Sequence, residues 1–573
     1  MPTIAENLVS VLAANGVRRV WGVPGDSLNG ITEAIRREKD VEWMLVRHEE
    51  AAAFAAGAEA EITGDLAVCA GSCGPGNLHL INGLYDANRS RVPVLAIAAQ
   101  IPSSEIGSTY FQETHPTEIF RECSVYCELV SSPEQMPRVL EIAMREAIEK
   151  RGVAVIVIPG DVALASAVDD RVSVITPSRS TTVPSAESLA AAAAVLNEGE
   201  KVTILAGAGV AGSRDEVLEL AEALGAPIVH ALRGKEHIEY ENPFDVGMTG
   251  LLGFASGYRA MESCDVLLML GTDLPYQQFY PENAHIVQVD SRGEQLGRRT
   301  PIDVGLRGDV GATASALLPL VERKANRSHL EDSVAHYRKT RRKFDQLEKP
   351  GRAGALHPQF VAATLDEVAA DDAVFIPDVG TPVVWACRHL HIGEKRRLIG
   401  SFSHGTMAAA LPLALGAQAV DRGRQVIAMA GDGGLAMLLG ELITAVQLNL
   451  PITVVVFDNA ALGFVEVEMK AAGFVNFGTS LENPDFAAVA QAIGLHGERV
   501  ENGDDLRPAL ERALAHDGPS LVNVTVERQE LSMPPSIELE QAKGFALYAM
   551  RTVLSGNGRE IVDLARANLR QVL

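Results

Sequence analysis

Positive charge is scarce in this chain. Lys and Arg total 50 against 74 Asp and Glu, a formal net charge of −24 over 573 residues. That balance argues against a nucleic-acid partner, which needs a basic face, and against a polybasic membrane anchor. Cysteine is scarce too, with six in the whole chain, which suits a reducing compartment better than a disulfide framework. The pairs Cys69/Cys73 and Cys123/Cys127 are spaced CxxxC and read either as zinc ligands or as buried thiols. Buried thiols are preferred, because Cys73 lies in a glycine turn and no neighbouring histidine completes a set. Long apolar runs are missing as well. The most apolar long window, Val426 to Gly440, carries Asp432 at its middle and several glycines, which suits a buried strand–turn–helix better than a span. The opening MPTIAENLVSVLAANG has no basic n-region, so no secretory signal is expected and the cytoplasm is the expected location.

What the chain does contain is an ordinary globular mix, 47% hydrophobic and 22% charged. At roughly 100–200 residues per domain its length predicts three or four domains. Short apolar runs alternate with helical stretches: Leu66–Ala70, Val92–Ala98, Val153–Ile158, Val202–Ala206, Val266–Leu270, Ile286–Val289, Val374–Ile376, Val426–Ala430, Ile452–Phe457 and Leu521–Val526. Strands alternating with helices imply buried parallel sheets in an α/β protein. Polar or charged stretches at Thr176–Ser185 and Tyr337–Leu356, and a turn at Met533–Pro535, divide the chain. The expected architecture is three doubly wound parallel-sheet domains, residues 1–181, 182–333 and 334–529, with a short helical C-terminal tail, 530–573. No repeat between domains is visible in the sequence.

The sharpest motif is Gly431-Asp432-Gly433, followed after 24 residues by Asp458-Asn459. Each element sits at the C-terminal end of a predicted strand, where open α/β sheets bind ligands, and a helix is expected from about Ala436. A hard cation such as Mg²⁺ takes oxygen ligands and shares them with phosphates. Asp432 offers a carboxylate, Asn459 a side-chain carbonyl and Ala461 a backbone carbonyl. Gly433 and Gly434 would let the chain approach a diphosphate at a helix N-terminus. A second candidate is the pair Glu49-Glu50 at the entry to an alanine-rich helix, AAAFAAGAEA. Acids there also complement a helix dipole. A third is the strand Val202–Ala206 leading into Gly207-Ala208-Gly209-Val210-Ala211-Gly212, the dinucleotide pattern GxGxxG. Alone it reads equally well as a plain strand–helix turn. The next strand, Pro227–His230, ends in His and not an acid, which counts against NAD. The later strand His285–Val289 leads to Asp290, suited to a ribose or adenine edge.

The GDG…DN pair resembles the signature of the thiamine-diphosphate enzymes, with Asp458 standing where the family has a first Asn. That resemblance implies thiamine diphosphate and Mg²⁺ as cofactors, with Asp432, Asn459 and Ala461 as metal ligands. It selects Glu49 as the carboxylate that promotes loss of the cofactor's C2 proton, in an apolar setting that favours a neutral carboxyl. It places Gly76 near the thiamine ring, His404, Gly405 and Thr406 beside the cofactor, and Met407 beneath it. It also turns Phe111 and Gln112 toward the substrate.

Nearly the whole chain is similar to the bacterial quinone-linked pyruvate dehydrogenases, also described as ubiquinone-linked pyruvate oxidases. WGVPGDSLNG, RHEEAAAFAAGAEA, CAGSCGPGNLHLINGLYD, YFQETHP, HALRGKEH, MTGLLGF and LEQAKGFALY carry the likeness. It implies oxidative decarboxylation of pyruvate to acetate and CO₂, with electrons passing through FAD to ubiquinone at the inner membrane. FAD contacts are implied for Gly207 and Gly209, for Gly250, Leu251, Leu252 and Gly253, for Asp273, Leu274, Pro275, Tyr276 and Gln277, and for Asp290 and Ser291. Phe464 matches a residue that moves into the site on activation.

The last predicted helix, Arg559 to Leu573, carries an apolar stripe of Ile561, Val562, Leu564, Ala565, Leu569, Val572 and Leu573. Periodicity alone favours packing on the body. The resemblance implies a tail released onto membrane lipid, a homo-oligomer with sites shared between subunits, and a tetramer. Three alternatives remain open: an acetolactate synthase with structural FAD, a phosphate-dependent oxidase, and a lipid-binding homologue without activity.

Overall fold

A computed structural model of the chain describes residues 1–178, 180–352, 355–531, 539–554 and 558–572. Its frame is three six-stranded, wholly parallel sheets. The first contains β1 (Arg19–Gly22), β2 (Glu42–Leu45), β3 (Ala67–Gly71), β4 (Val94–Gln100), β5 (Tyr126–Leu129) and β6 (Val153–Pro159), in the order β2-β1-β3-β4-β6-β5. The second contains β7 (Val202–Ala206), β8 (Ile228–His230), β9 (Asp245–Met248), β10 (Val266–Leu270), β11 (His285–Asp290) and β12 (Val304–Arg307), in the order β12-β11-β10-β7-β8-β9. A short antiparallel pair, β13 (Gly351–Arg352) and β14 (Ala355–Leu356), precedes the third sheet. That sheet contains β15 (Val374–Pro377), β16 (Arg397–Leu398), β17 (Val426–Gly431), β18 (Thr453–Asp458), β19 (His496–Val500) and β20 (Ser520–Thr525), in the order β16-β15-β17-β18-β20-β19. The α/β class and the three doubly wound domains expected from the sequence are present.

All ten apolar runs lie on strands. β4, β6, β7 and β10 are buried along their whole length, and a strand covered on both faces has to be apolar throughout. The strands missing from the pattern are mainly short or at sheet edges. β2, β5 and β12 are only partly buried and carry mixed polarity. The first and third sheets share one strand order although their sequences show no repeat. The second sheet follows the dinucleotide-binding order, with β7 and β10 meeting where the winding reverses.

Two expectations about elements change. The helix expected near Ala436 begins at Asp432 itself, runs Asp432–Met437, breaks, and resumes as Glu441–Gln447. The helix Ser328–Asp345 crosses the boundary expected at 333/334, and its Val334 and Tyr337 pack on the middle domain. The Met533–Pro535 turn lies outside the described residues.

Small side chains set how the first and third domains meet. Helix Glu49–Thr63 is buried from Ala51 to Ala60 and packs on helix Ala410–Val420. A Cβ added to Gly416 would stand 2.1 Å from the backbone oxygen of Ala55. Of the tail helices, Leu539–Leu554 docks on helix Gly463–Ala471, where a Cβ at Gly544 would stand 1.8 Å from the Ala471 oxygen, and Gly558–Val572 packs on Leu539–Leu554. Among the described residues no helix is long and apolar enough to cross a membrane.

Gly416→Ala should therefore separate the two domain helices. Overpacking of this kind costs about 1–3 kcal/mol, read as a lower midpoint of thermal unfolding. An unchanged midpoint would show that the helices are not in rigid contact.

Candidate active site

The third sheet reverses its winding between β15 and β17, and both strands end in acids. Asp432, buried after β17, accepts from its neighbour's Gly433 amide at 2.8 Å and from Asn483 Nδ2 at 2.7 Å. Burial pushes its carboxyl up to about 6. Asn483 also donates to Asp458 Oδ1 at 2.9 Å, so one amide bridges the two carboxylates. Asn459 accepts from the Ala461 amide at 3.0 Å, which folds the Asn459–Ala461 turn back on itself. Among the described residues no cationic side chain pairs with Asp432. A buried carboxylate with oxygen-bearing neighbours and no cation partner fits a hard divalent ion. Asp432, Asn459 and the Ala461 carbonyl would hold such an ion.

Asp378, at the end of β15, was not legible as a site residue. Its carboxylate accepts from the Ala408 and Ala409 amides at 3.2 and 3.1 Å and caps the approach to helix Ala410–Val420. Burial lifts it to about 7. A Cβ at Gly434 would stand 1.8 Å from Asp378 Oδ2. Gly434 is thus required by this carboxylate, and not only by a ligand's approach. A Cβ at Gly433 would meet Leu462 at 2.9 Å and Met407 Cε at 3.5 Å, so Met407 lies beside the motif. The clue was available: Asp378-Val379-Gly380 repeats the strand–acid–glycine grammar of the motif.

The first domain contributes a second face. Glu49 opens its helix at 8% exposure and meets His79 Nδ1 at 2.9 Å, while the His79 ring stacks on His48 at 4.3 Å. A Cβ at Gly76 would stand 2.9 Å from Glu49 Oε1. Gly74 and Gln112 both adopt left-handed backbone, at φ 67° and 63°, and press together. Gln112 Oε1 lies 3.5 Å from Cys73 Sγ. Phe111 does not join them; it stands 78% exposed beside the exposed Tyr110. Asn82 ties this face to the third domain, donating to Thr406 Oγ1 at 3.1 Å and meeting His404 Nε2 at 2.8 Å. The Gly405 amide donates to Ser401 O at 2.9 Å. Glu441 accepts from the Arg47 amide at 3.0 Å. No hydrogen bond or ion pair joins Glu49 to Asp432 among the described residues. The cysteines are buried or half-buried thiols, and burial pushes Cys123 and Cys127 up to about 12.

In the middle domain the segments expected to meet a flavin gather at the C-terminal edge of the sheet. Gly250 has φ 96°, and a Cβ there would meet Leu274 at 3.5 Å and Tyr276 at 3.8 Å, bringing Gly250–Gly253 onto Asp273–Gln277. Leu251, Tyr276, Gln277 and Ser291 are exposed, as is Pro275. Asp290, buried at the end of β11, is pushed up to about 6 by burial. Thr249 and Thr272, after β9 and β10, are buried with hydroxyls that find no partner among the described residues. Two orphaned hydroxyls beside exposed apolar and aromatic groups fit a bound nucleotide cofactor. Gly207 and Gly209 follow β7 and face the loop after β10. A Cβ at either would strike the Gly271 backbone at 2.4 or 2.6 Å, so these glycines let two loops close on each other.

Protonated Asp432 cannot bind a cation. Its carboxyl lies above the ordinary value, so apparent Mg²⁺ affinity should be flat above about pH 6 and fall about tenfold per unit below it. Quenching of tryptophan fluorescence by Mg²⁺ and thiamine diphosphate reads this. Asp458→Asn removes a neighbouring negative charge that raises Asp432, and should move the break to lower pH while weakening Mg²⁺ binding several-fold at neutral pH. A pH-independent affinity between 5 and 8 would remove Asp432 from the ligand set.

Comparison with known proteins agrees with this layout. The N-terminal TPP binding domain of thiamine pyrophosphate enzymes matches residues 2–119, their central domain 189–317 and their C-terminal TPP binding domain 378–524. A putative thiamine pyrophosphate-containing protein, YdaP of Bacillus subtilis, is 37% identical over 99% of this chain and 98% of its own length. Pyruvate oxidase of Lactiplantibacillus plantarum is 29% identical over 94% of this chain and 91% of its own. The large subunit of acetolactate synthase isozyme 2 of Escherichia coli is 31% identical over 92% and 96%. With three domain matches in order and a relative similar from end to end, the chain belongs to the thiamine pyrophosphate enzyme family.

Proposed function

We propose that this enzyme decarboxylates pyruvate oxidatively to acetate and passes the electrons through FAD to ubiquinone at the cytoplasmic face of the inner membrane. The observation that carries this reading is the seat of the tail. Helix Gly463–Ala471 leaves the metal loop, bears the half-buried Phe464, and is the helix on which the tail rests. Arg551 donates to Gly473 O at 2.7 Å, and Tyr548 and Asn476 both donate to Glu560, at 2.7 and 2.6 Å. Ile561 and Leu564 are half-buried, while the side chains of Leu569, Val572 and Leu573 lie outside the described residues. Phe474, Phe477, Met550, Val553, Leu554 and Val562 are exposed on or beside the tail, with Phe477 at 87%. Exposed apolar groups of this kind suit an interfacial lipid contact. A docked tail touching the site's own helix has no evident use in a carboligase.

Thiamine diphosphate supplies a carbanion centre and electron sink, and FAD a two-electron acceptor. Overall, pyruvate and water give acetate, CO₂, two protons and two electrons, and ubiquinone takes the electrons. The chain's own part is orientation. Glu49, buried beside Gly76, would hydrogen-bond the aminopyrimidine. Asp432, Asn459 and Ala461 carry the Mg²⁺ that anchors the diphosphate. Gln112 would face the substrate, Met407 would support the cofactor, and Phe464 would shield the site from water. The sides bearing Glu49 and Asp432 meet across two subunits of a tetramer, which would also cover Leu78, Tyr110 and Phe111.

Under anaerobic conditions with Mg²⁺ and thiamine diphosphate, pyruvate should bleach the flavin, and ubiquinone should restore its colour. A flavin that stays oxidised while pyruvate is consumed would overturn the reading and favour an acetolactate synthase. Glu49→Gln should lower turnover at least ~100-fold, the lower end of acid–base contributions, with the circular dichroism of the fold unchanged. Deleting residues 539–573 should remove vesicle binding measured by flotation; retained flotation would place the lipid contact elsewhere.

A further inference from the structure

The two cofactor sites are joined by a single short helix, Thr381–His389. Its N-terminal end is wedged into the metal loops. Pro382 Cγ lies 3.7 Å from where a Cβ on Gly431 would stand, and Thr381 Cγ2 lies 3.3 Å from that of Gly463. Its middle, Val383 and Cys387, is buried against Met248 and Phe254 of the second domain, with Leu252 and Phe402 packed at the edge. Nine residues span about 13 Å at 1.5 Å per residue. At the far end Arg388 reaches across the domain boundary. Its Nε donates to Leu252 O at 3.1 Å and one terminal nitrogen donates to Gly253 O at 3.4 Å. The guanidinium lies 5.5 Å from the centre of the Phe344 ring and is 3% exposed. Burial lowers its pKa only to about 10, so it keeps its charge at neutral pH.

The turn it grips is the one proposed to lie against the flavin. Gly253 N donates to Gly250 O at 2.9 Å and Phe254 N to Met248 O at 2.7 Å, so the turn is closed on its inner side. The outward carbonyls of Leu252 and Gly253 are left for Arg388. The orphaned Thr249 hydroxyl and the exposed Leu251 lie on or next to the same turn.

We propose that Arg388 is a positioning residue that fixes the Gly250–Gly253 turn to the third domain, so that helix Thr381–His389 sets where the flavin lies relative to the thiamine site. The proposal rests on the flavin reading above. A planar fork grips two successive carbonyls, and an ammonium cannot reproduce that geometry. The helix is a strut, and Arg388 is its attachment.

The test compares the holoenzyme with Arg388→Lys and Arg388→Met. Flavin dissociation should rise at least tenfold in the Met variant and less in the Lys variant. Thiamine diphosphate affinity should stay within twofold, and hydrogen exchange at the 249–254 amides should quicken in both. Unchanged flavin affinity and exchange in folded variants would overturn the proposal, as would equal loss of both cofactors, which marks a general defect. If the Met variant does not fold, Phe344→Leu loosens the same guanidinium, and unchanged exchange at 249–254 in it and in the Lys variant would overturn the proposal. A wild-type enzyme that retains no flavin defeats the flavin reading alone, because the exchange measurement still reports on the grip.

Discussion

The rest of the structure depends on how little side chain lies between helix Glu49–Thr63 and helix Ala410–Val420. Alanine and Gly416 let the two backbones touch. Close backbone approach fixes the helices in register, because packed interiors do not deform continuously. That register brings Asn82 to Thr406 and His404, and the Arg47 amide to Glu441. A longer side chain anywhere along the seam would shift all of these together. The alanine run is therefore the ruler by which the first domain is placed on the third.

Within the third domain the ordering groups are buried acids. Asp378 and Asp432 both sit where burial disfavours charge. Each is retained because it has amide donors: backbone Ala408 and Ala409 for Asp378, Gly433 and Asn483 for Asp432. Amide dipoles stabilise a carboxylate without neutralising it. At Asp378 that charge organises the loop leading to Met407. At Asp432 no cationic side chain among the described residues answers it.

Much of this was legible in the sequence. The strands that carry the sites are central, apolar on both faces and bounded by Gly, Pro or Asp, so their pattern is strong. β2, β5 and β12 escaped because edge strands bury only part of their surface and tolerate polar residues. The GDG…DN pair stood out through spacing. Asp378 did not, although it ends a strand in the same manner, because its partners are backbone amides 30 residues away and leave no residue-type signal. Asn483 was invisible for a similar reason: a lone amide in a loop carries no pattern. The GxGxxG was visible too, but sequence cannot distinguish glycine that admits a ligand from glycine that admits another loop, and Gly207 and Gly209 both lie against Gly271.

The shared strand order of the first and third sheets has an ancestral implication. In one, Gly25 closes on Ser72 beside Gly76; in the other, Asp378 closes on Gly434 beside Asp432. The two crevices occupy equivalent places in equivalent topologies. Such a chain reads as a duplicated unit whose copies have specialised, one with Glu49 beside its crevice glycine and the other with Asp378 and Asp432 beside its own. Once the two tasks were divided, each copy was released from the constraints of the other, and the common sequence could disappear while the common winding stayed.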